Sequence, residues 1–409
     1  MAQDRPIGPP PPVVLHHADS FFGRQSDSGE VRELRGNVHL QQGTTILRCG
    51  SALQYLETGL VILRQNVYIE QGDLHISAPT ITYNPVTGIA TAENGAEVRQ
   101  GKRTIRARWG MYDIPRRELL FQSFVHFRDD SIDLRTDTLR YFRLTERAHA
   151  RGGVYVESPL QRLAAEADTL DYQPRSGWMR FAGSVILHQR PASTTSSTDT
   201  LWLMASTATI VQSNGRSTLE ASGSIALVQD TSWAARAESI RWQSSAEILS
   251  LRGTPVIWYG NAELTGDSVV VVFFSGQFHR LHCVGRSRLR LRTATDSIRT
   301  HQLRADSIFL RRQNDSLTEL IAFGNARSLY CHYTSNGPEG LLRHSADRIE
   351  LTFVRDSLLQ ARWLGSVFGE YVPESLLVKG FHEWSLPDME WKALRPFTPR
   401  WRHRARWLP

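Results

Sequence analysis

The strongest constraint on this chain is a hexad that recurs along nearly its whole length. The clearest copy is Ala167-Asp168-Thr169-Leu170-Asp171-Tyr172. Similar hexads begin at Ala18, Gly50, Ala78, Ala107, Thr136, Ala205, Ala237, Gly266, Ala305 and Ala346. Successive copies start 28 to 41 residues apart. The first position is small throughout. The second is often acidic, as in Asp19, Asp137, Asp168, Glu238, Asp267, Asp306 and Asp347. The fourth and sixth are usually apolar, and two apolar residues two apart mark one face of a β-strand. A repeat of this period builds one small unit per copy, and stacked units bury a shared core. The two or three compact domains that 409 residues would otherwise suggest are therefore not needed.

A second element lies between the hexads. It reads Leu34-Arg35-Gly36-Asn37-Val38-His39-Leu40 in its clearest copy and recurs over 63–69, 121–127, 150–156, 181–187 and 221–227, with weaker copies over 322–328 and 361–367. Its second half alternates: Val38/Leu40, Val67/Ile69, Val125/Phe127, Val154/Val156, Val185/Leu187, Ile225/Leu227 and, in a further copy, Val256/Trp258. Glycine near the middle (Gly36, Gly152, Gly183, Gly223, Gly324, Gly365) predicts a bend or bulge rather than a flat strand. Each repeat is then two or three short strands, joined by turns such as Asn84-Pro85-Val86-Thr87-Gly88. Helical periodicity is nearly absent. The best stretch, 160–167, runs straight into a hexad. Residues 191–200 and 334–340 read as loops, and residues 1–14 as a Pro-rich linker. The repeat body spans 15–372, and a Pro-, Trp- and Arg-rich tail covers 373–409.

A content of 41% hydrophobic and 22% charged residues is that of a folded protein. The longest apolar run is Val269 to Phe274, far short of the roughly 20 residues of a membrane helix, a criterion that leaves transmembrane strands open. The net charge is +7, and of 48 basic residues only Lys102, Lys379 and Lys392 are lysine. Guanidinium forks grip phosphate and carboxylate, so the expected partners of such a chain are nucleic acid, a membrane surface or an anionic small molecule. The aromatic residues follow the strand period and read as core, which argues against nucleic acid. Three cysteines make no disulfide framework, and the odd count leaves at least one thiol free or paired between chains. Met1-Ala2-Gln3-Asp4-Arg5-Pro6 lacks the basic start and apolar core of an export signal. It is equally the start of a trimmed mature form, with Ala2-Gln3 as the scar. No nucleophile elbow, phosphate loop or His-Glu zinc motif occurs, and the expectation is a non-enzyme without a cofactor.

The Leu-x-Gly-Asn-Val element alternating with Ala-Asp-x-Leu-x-Tyr resembles the OstA-like family, the periplasmic lipopolysaccharide-transport bridge fold related to organic solvent tolerance protein A. The resemblance spans about residues 15–372. It implies an all-β, elongated, solenoid-like β-jellyroll of two facing sheets with an apolar groove. It also implies acyl chains of lipopolysaccharide or a related anionic lipid in that groove. Further implications are a place in outer-membrane assembly, and a periplasmic location with outer-membrane association as an option. Modules would join other transport components, or copies of themselves, through edge strands. The chain departs from the family in being about twice the length of a simple bridge and in lacking a long C-terminal barrel.

On this reading the lipid-binding candidates are Val38, Leu40, Val67, Ile69, Val125, Phe127, Val154, Val156, Val185, Leu187, Ile225 and Leu227. Arg286, Arg288, Arg290 and Arg292 alternate along one strand. They are candidates for a lipid phosphate, or else a solvated face that discourages edge pairing. The cationic, indole-rich 400–407 suits either an anionic membrane interface or, in preference, a disordered end. His279, His282, Cys283, Cys331 and His332 meet no zinc spacing. The hexad aspartates are expected to accept hydrogen bonds at turns rather than form a calcium ladder. The rival readings are a structural β-solenoid scaffold and a polysaccharide-acting β-helix enzyme.

Overall fold

The computed structural model describes residues 12–402, apart from 27–28, 160–161, 190–199, 214, 230–232, 276, 293–298, 314–316, 335–336, 355–356, 378–379 and 391–392. The proline linker up to residue 11, nearly all of the loop expected at 191–200 and the end of the tail lie outside the described residues. Among the described residues there are antiparallel strands, three short 3-10 turns and no α-helix. The all-β expectation holds, and the stretch 160–167 leads into the strand Leu163–Gln173. The second expected loop is largely a hairpin, since strands run to Thr334 and resume at Gly337.

The hexad is where each strand turns a corner. In Leu163–Gln173, Ala165 and Ala167 point inward and are fully buried, and so are Leu170 and Tyr172. The step from 167 to 170 is odd, so alternation slips there, and the backbone bends at Asp168-Thr169. The neighbouring strand Arg147–Ser158 makes the matching adjustment with a bulge between Arg151 and Val154. Further bulges fall in the second element at Arg35/Val38, Arg64/Val67, Gln122/Val125, Ser222/Ile225 and Phe323/Ala326. Each takes two consecutive residues with positive φ, such as Gly36 and Asn37 or Gly324 and Asn325. At several places the bend severs the strand: Ile89–Glu93 and Ala96–Gln100 pair with opposite halves of Leu74–Asn84, and Ile248–Arg252 and Val256–Tyr259 with those of Trp233–Gln243.

The acid at hexad position two sits against the bulge of the next strand. Asp19, Asp267 and Asp347 donate their backbone N–H to the carbonyls of Gly36, Gly285 and Gly365, at 3.0, 2.9 and 3.0 Å. Their carboxylates, and that of Asp306, accept from the residue after the glycine. Asn37 Nδ2 reaches Asp19 at 3.3 Å, Arg286 Nη2 reaches Asp267 at 2.6 Å, Asn325 Nδ2 reaches Asp306 at 2.9 Å and Ser366 Oγ reaches Asp347 at 3.3 Å. The aspartates do accept hydrogen bonds, but at the bulges rather than at hairpin turns. The pairing also corrects one register. Val38 pairs with Cys49, so the second hexad begins at Cys49 and not Gly50, and the buried Cys49 fills its small position.

Cα packing divides the chain into two compact units, one ending at Arg175 and taking in Arg402, the other running from Ser176 to Trp401. In the first, the bends split the strands into two walls. The walls face each other: the Phe127 ring, from one, lies 6.2 Å from the rings of Tyr141 and of Tyr172, from the other. That is a β-jellyroll. In the second unit the same bends recur, but some strands are buried on both sides. Ile225, Ala226, Leu227 and Val228 are consecutive and all at most 6% exposed. Leu227 faces the interior of the roll. The outer face, carrying Ala226 and Val228, continues through Ala234, Val256 and Trp258, against which Ala393 of the tail packs, so the pair Val256/Trp258 turns outward and Ile257 takes the inward phase, opposite to what its alternation suggests.

Candidate functional site

Within the first unit each wall presents one apolar row, residue paired to residue across successive strands. On one wall the row is Leu15, Leu40, Leu47, Ile69, Ile76, Val98, Ile105, Phe127, Leu134 and Val156. On the other it is Phe21, Leu34, Ala52, Leu63, Ile81, Ala92, Gly110, Phe121, Leu139, Ala150 and Leu170. The rows are not equally accessible. Leu15 is 47% and Phe21 61% exposed, Leu40, Leu47 and Ile69 are half-buried, and Phe127 and Leu134 are closed to solvent. The apolar interior is thus reachable from its first strands and sealed further along.

Polar side chains bridge the hairpin tips of the two walls along the sealed part. Arg143 Nη1 donates to Tyr112 Oη at 2.6 Å and Gln71 Oε1 at 3.3 Å. Arg103 donates to Glu146 at 2.7 Å and Tyr141 Oη at 3.2 Å. Tyr172 Oη donates to Asp129 at 2.9 Å. Burial disfavours the Arg103 charge, but the bonds to Glu146 and Tyr141 outweigh it and raise its pKa. Burial, then the Asp129 charge, pushes the Tyr172 hydroxyl up, so it stays a donor across the physiological range. Hydrogen bonds from Arg103 and Arg175 lower the Glu146 carboxyl.

Nearby, burial works to raise the Asp133 carboxyl. Hydrogen bonds from His126 at 3.0 Å and Arg128 at 2.6 Å prevail and hold its pKa down at about 2. Its unfolded value is higher, so ionised Asp133 stabilises the fold above the ordinary carboxylate range, and that contribution is lost as pH falls toward 2. Wild type should therefore exceed Asp133→Asn in stability at pH 5, and the gap should close by pH 2. Denaturant titrations of both proteins at several pH values check this. A gap that does not narrow on acidification would remove the role given to Asp133.

The structure places the twelve lipid-binding candidates on the inward face of one wall type. Val38, Val67, Val125, Phe127, Val154, Val156, Val185, Leu187, Ile225 and Leu227 are at most 3% exposed, and only Leu40 and Ile69 are half-buried. The facing wall, with Leu63, Ile81, Phe121, Leu139 and Leu170, was not among the candidates. Its signal was present in hexad position four (Ile81, Leu139, Leu170) and in the first residue of the second element (Leu63, Phe121), which share the interior with the alternating pairs. The four arginines do not form one row. Arg286 sits in a bulge, at φ +44°, held by Asp267, whereas Arg288, Arg290 and Arg292 alternate beyond it. Arg290 and Arg292 share the buried carboxylate of Glu263. Arg288 donates to the Asp388 carbonyl at 2.6 Å. All three cysteines are buried and free, and burial pushes the Cys49 and Cys283 thiols up to about 11. His282 lies against Phe309, and His332 pairs with Glu339.

Bent antiparallel hairpins stacked around an apolar interior define the class: a repetitive β-jellyroll. Part of the chain is similar to a known family. Residues 12–94 and 33–137 match the OstA-like protein family, in two overlapping alignments, so the chain is OstA-like over this stretch. The bent-strand repeat continues beyond it to residue 373. Among solved structures the chain is similar to LptH, the LptA homologous periplasmic component of the lipopolysaccharide transport device of Pseudomonas aeruginosa. The identity is 24%, over 28% of this chain and 83% of that one, with a TM-score of 0.25. No curated protein matches.

Proposed function

We propose that the protein is a non-enzymatic, periplasmic lipid-binding component of lipopolysaccharide transport and outer-membrane assembly, holding acyl chains between the two walls of its jellyroll. The observation that carries this reading is the pair of facing apolar rows in the OstA-like region, open at the first strands. Burying an acyl chain there yields roughly 25 cal/mol per Å² of apolar surface. The half-buried Leu40 and Ile69 are the entry contacts, and the deeper residues are reached only if the walls part.

Partners are other transport components or copies of the chain, joined through edge strands. Two features support this. Val13–His17 and Ser20–Ser26 pair only with Gly29–Gln42 among the described residues, and expose Val13, Val14, Leu15, Phe21 and Phe22. Phe368–Pro373, which pairs with Gly337–Val354, likewise exposes Phe368 and Tyr371. Unpaired edges with apolar side chains invite another strand.

The test is capture of lipopolysaccharide by the full chain carrying a photo-crosslinking residue at Leu40 or Ile69. Crosslinking is expected at both positions. In a separate label-free assay, Leu40→Asp and Ile69→Asp should cut lipid binding several-fold while the protein stays cooperatively folded, with a thermal unfolding midpoint lowered by no more than several degrees. If the folded crosslinker-bearing chains capture no lipid at either position and wild type binds none in the label-free assay, the transport reading falls and a solenoid scaffold replaces it.

A further inference from the structure

The segment after residue 373 carries no copy of the repeat, and its described residues in the second unit are bound. The segment runs back across the outer face of the strands, the face turned away from the roll interior. At its start Arg299 grips Glu374 through two bonds of 2.7 and 2.5 Å. Leu377, Phe381, Leu386 and Met389 then join Leu329, Cys331, Leu341 and Val372 in one apolar cluster. Each of these four tail anchors is at most 9% exposed. Farther on, Ala393 packs on Ala234, Val256 and Trp258, and the Trp401 ring lies 5.2 Å from that of Trp202.

The hydrogen bonds are those of peptide recognition, because the face reads the backbone of the segment. Buried Gln302 accepts from the Leu386 N–H at 2.8 Å and donates to Ser385 Oγ at 3.2 Å. Arg304, Arg288 and Arg236 donate to the carbonyls of Pro387, Asp388 and Leu394 at 3.4, 2.6 and 2.6 Å. These four side chains lie on the outward phase of their strands, and none of them serves the interior. Among its described residues the segment makes no strand pairing and only two short 3-10 turns. A cleft of about 530 Å³ remains beneath it, between Leu394 and the strands carrying Trp258, Glu263 and Arg290.

We propose that this outer face is a peptide-recognition surface, occupied in cis by the chain's own C-terminal segment. When that segment leaves, the face accepts an extended, proline-containing peptide with spaced apolar anchors. Side-chain anchors supply the affinity, and the arginine and glutamine contacts to the backbone set the direction. The cis segment has the advantage of high effective concentration, so it excludes weak competitors.

The experiment uses the full chain with the anchors removed, Phe381→Ser/Leu386→Ser/Met389→Ser. Amide exchange in 381–390 should rise at least tenfold over wild type, with the strands still protected. A labelled synthetic peptide of residues 374–402 should then bind this variant saturably and leave wild type unbound. Adding Arg236→Gln, Arg288→Gln and Arg304→Gln should weaken peptide binding at least tenfold. If strand protection is lost with the anchors, the segment is an integral layer of the core and the proposal fails. It also fails if the segment stays protected without them, or if it is released and the peptide does not bind.

Discussion

Phe127→Ala should lower the unfolding free energy of the first unit by about 3–5 kcal/mol, the range for deleting a large buried aromatic ring. Phe127 is fully buried and touches Tyr141 and Tyr172 of the facing wall, so its loss opens a cavity where the two walls meet. A domain holds only about 5–15 kcal/mol in total, so the change is a large share of it. Leu40→Ala, at a half-buried position of the same row, should cost less than about 2 kcal/mol. Amide exchange of strand Glu118–Arg128 under increasing denaturant measures both. A cost below about 1 kcal/mol for Phe127→Ala would mean that the walls do not meet at this ring. The same burial governs how lipid binding is tested. A carboxylate at Phe127 or Leu187 would enter a closed apolar layer and unfold it, so it reports on the fold and not on the ligand.

Gly324→Ala should destabilise the second unit by about 2–3 kcal/mol. Left-handed backbone costs an L-residue roughly 1–2 kcal/mol, and Gly324 sits at φ +73°. A methyl group there would also collide with the Asp306 carboxylate packed over the glycine. Asp306→Ala alone should cost only about 1 kcal/mol, for the hydrogen bond from Asn325. The double variant should cost at least about 1 kcal/mol less than the two single costs added, because removing the carboxylate makes room for the methyl. Equilibrium unfolding of the four proteins closes the cycle. Strict additivity would show that the acid and the glycine act independently, and the hexad would lose its physical link to the second element.

Both predictions rest on features legible in the chain before any coordinates. The acid at hexad position two and the glycine of the next element recur together because one packs on the other. The all-β class was legible for a similar reason. A spacing such as Leu170/Tyr172 or Val154/Val156 depends only on how a strand presents side chains to one face. The candidate site was half legible. Val125 and Phe127 carried the alternation that marks an inward face, but alternation is the same for a packed core and an open groove. The facing residues Phe121 and Leu139 carried an equal signal, yet only the fold shows that they oppose the first wall.

The local pattern by itself determined the strands, the places where they bend and the side that turns inward. These follow from backbone sterics and from side-chain periodicity over a few residues. Tertiary structure decided what depends on distant partners. The second hexad starts at Cys49 because the pairing with Val38 requires it, although Gly50 fits the motif equally well in isolation. Leu40 and Phe127 read alike in sequence, and their exposure differs only with position along the stack of strands. The run 225–228 departed from alternation, and the alternating pair Val256/Trp258 turned outward, because the outer face is covered too. The cover comes from a segment more than a hundred residues away, and no local period encodes a partner at that separation.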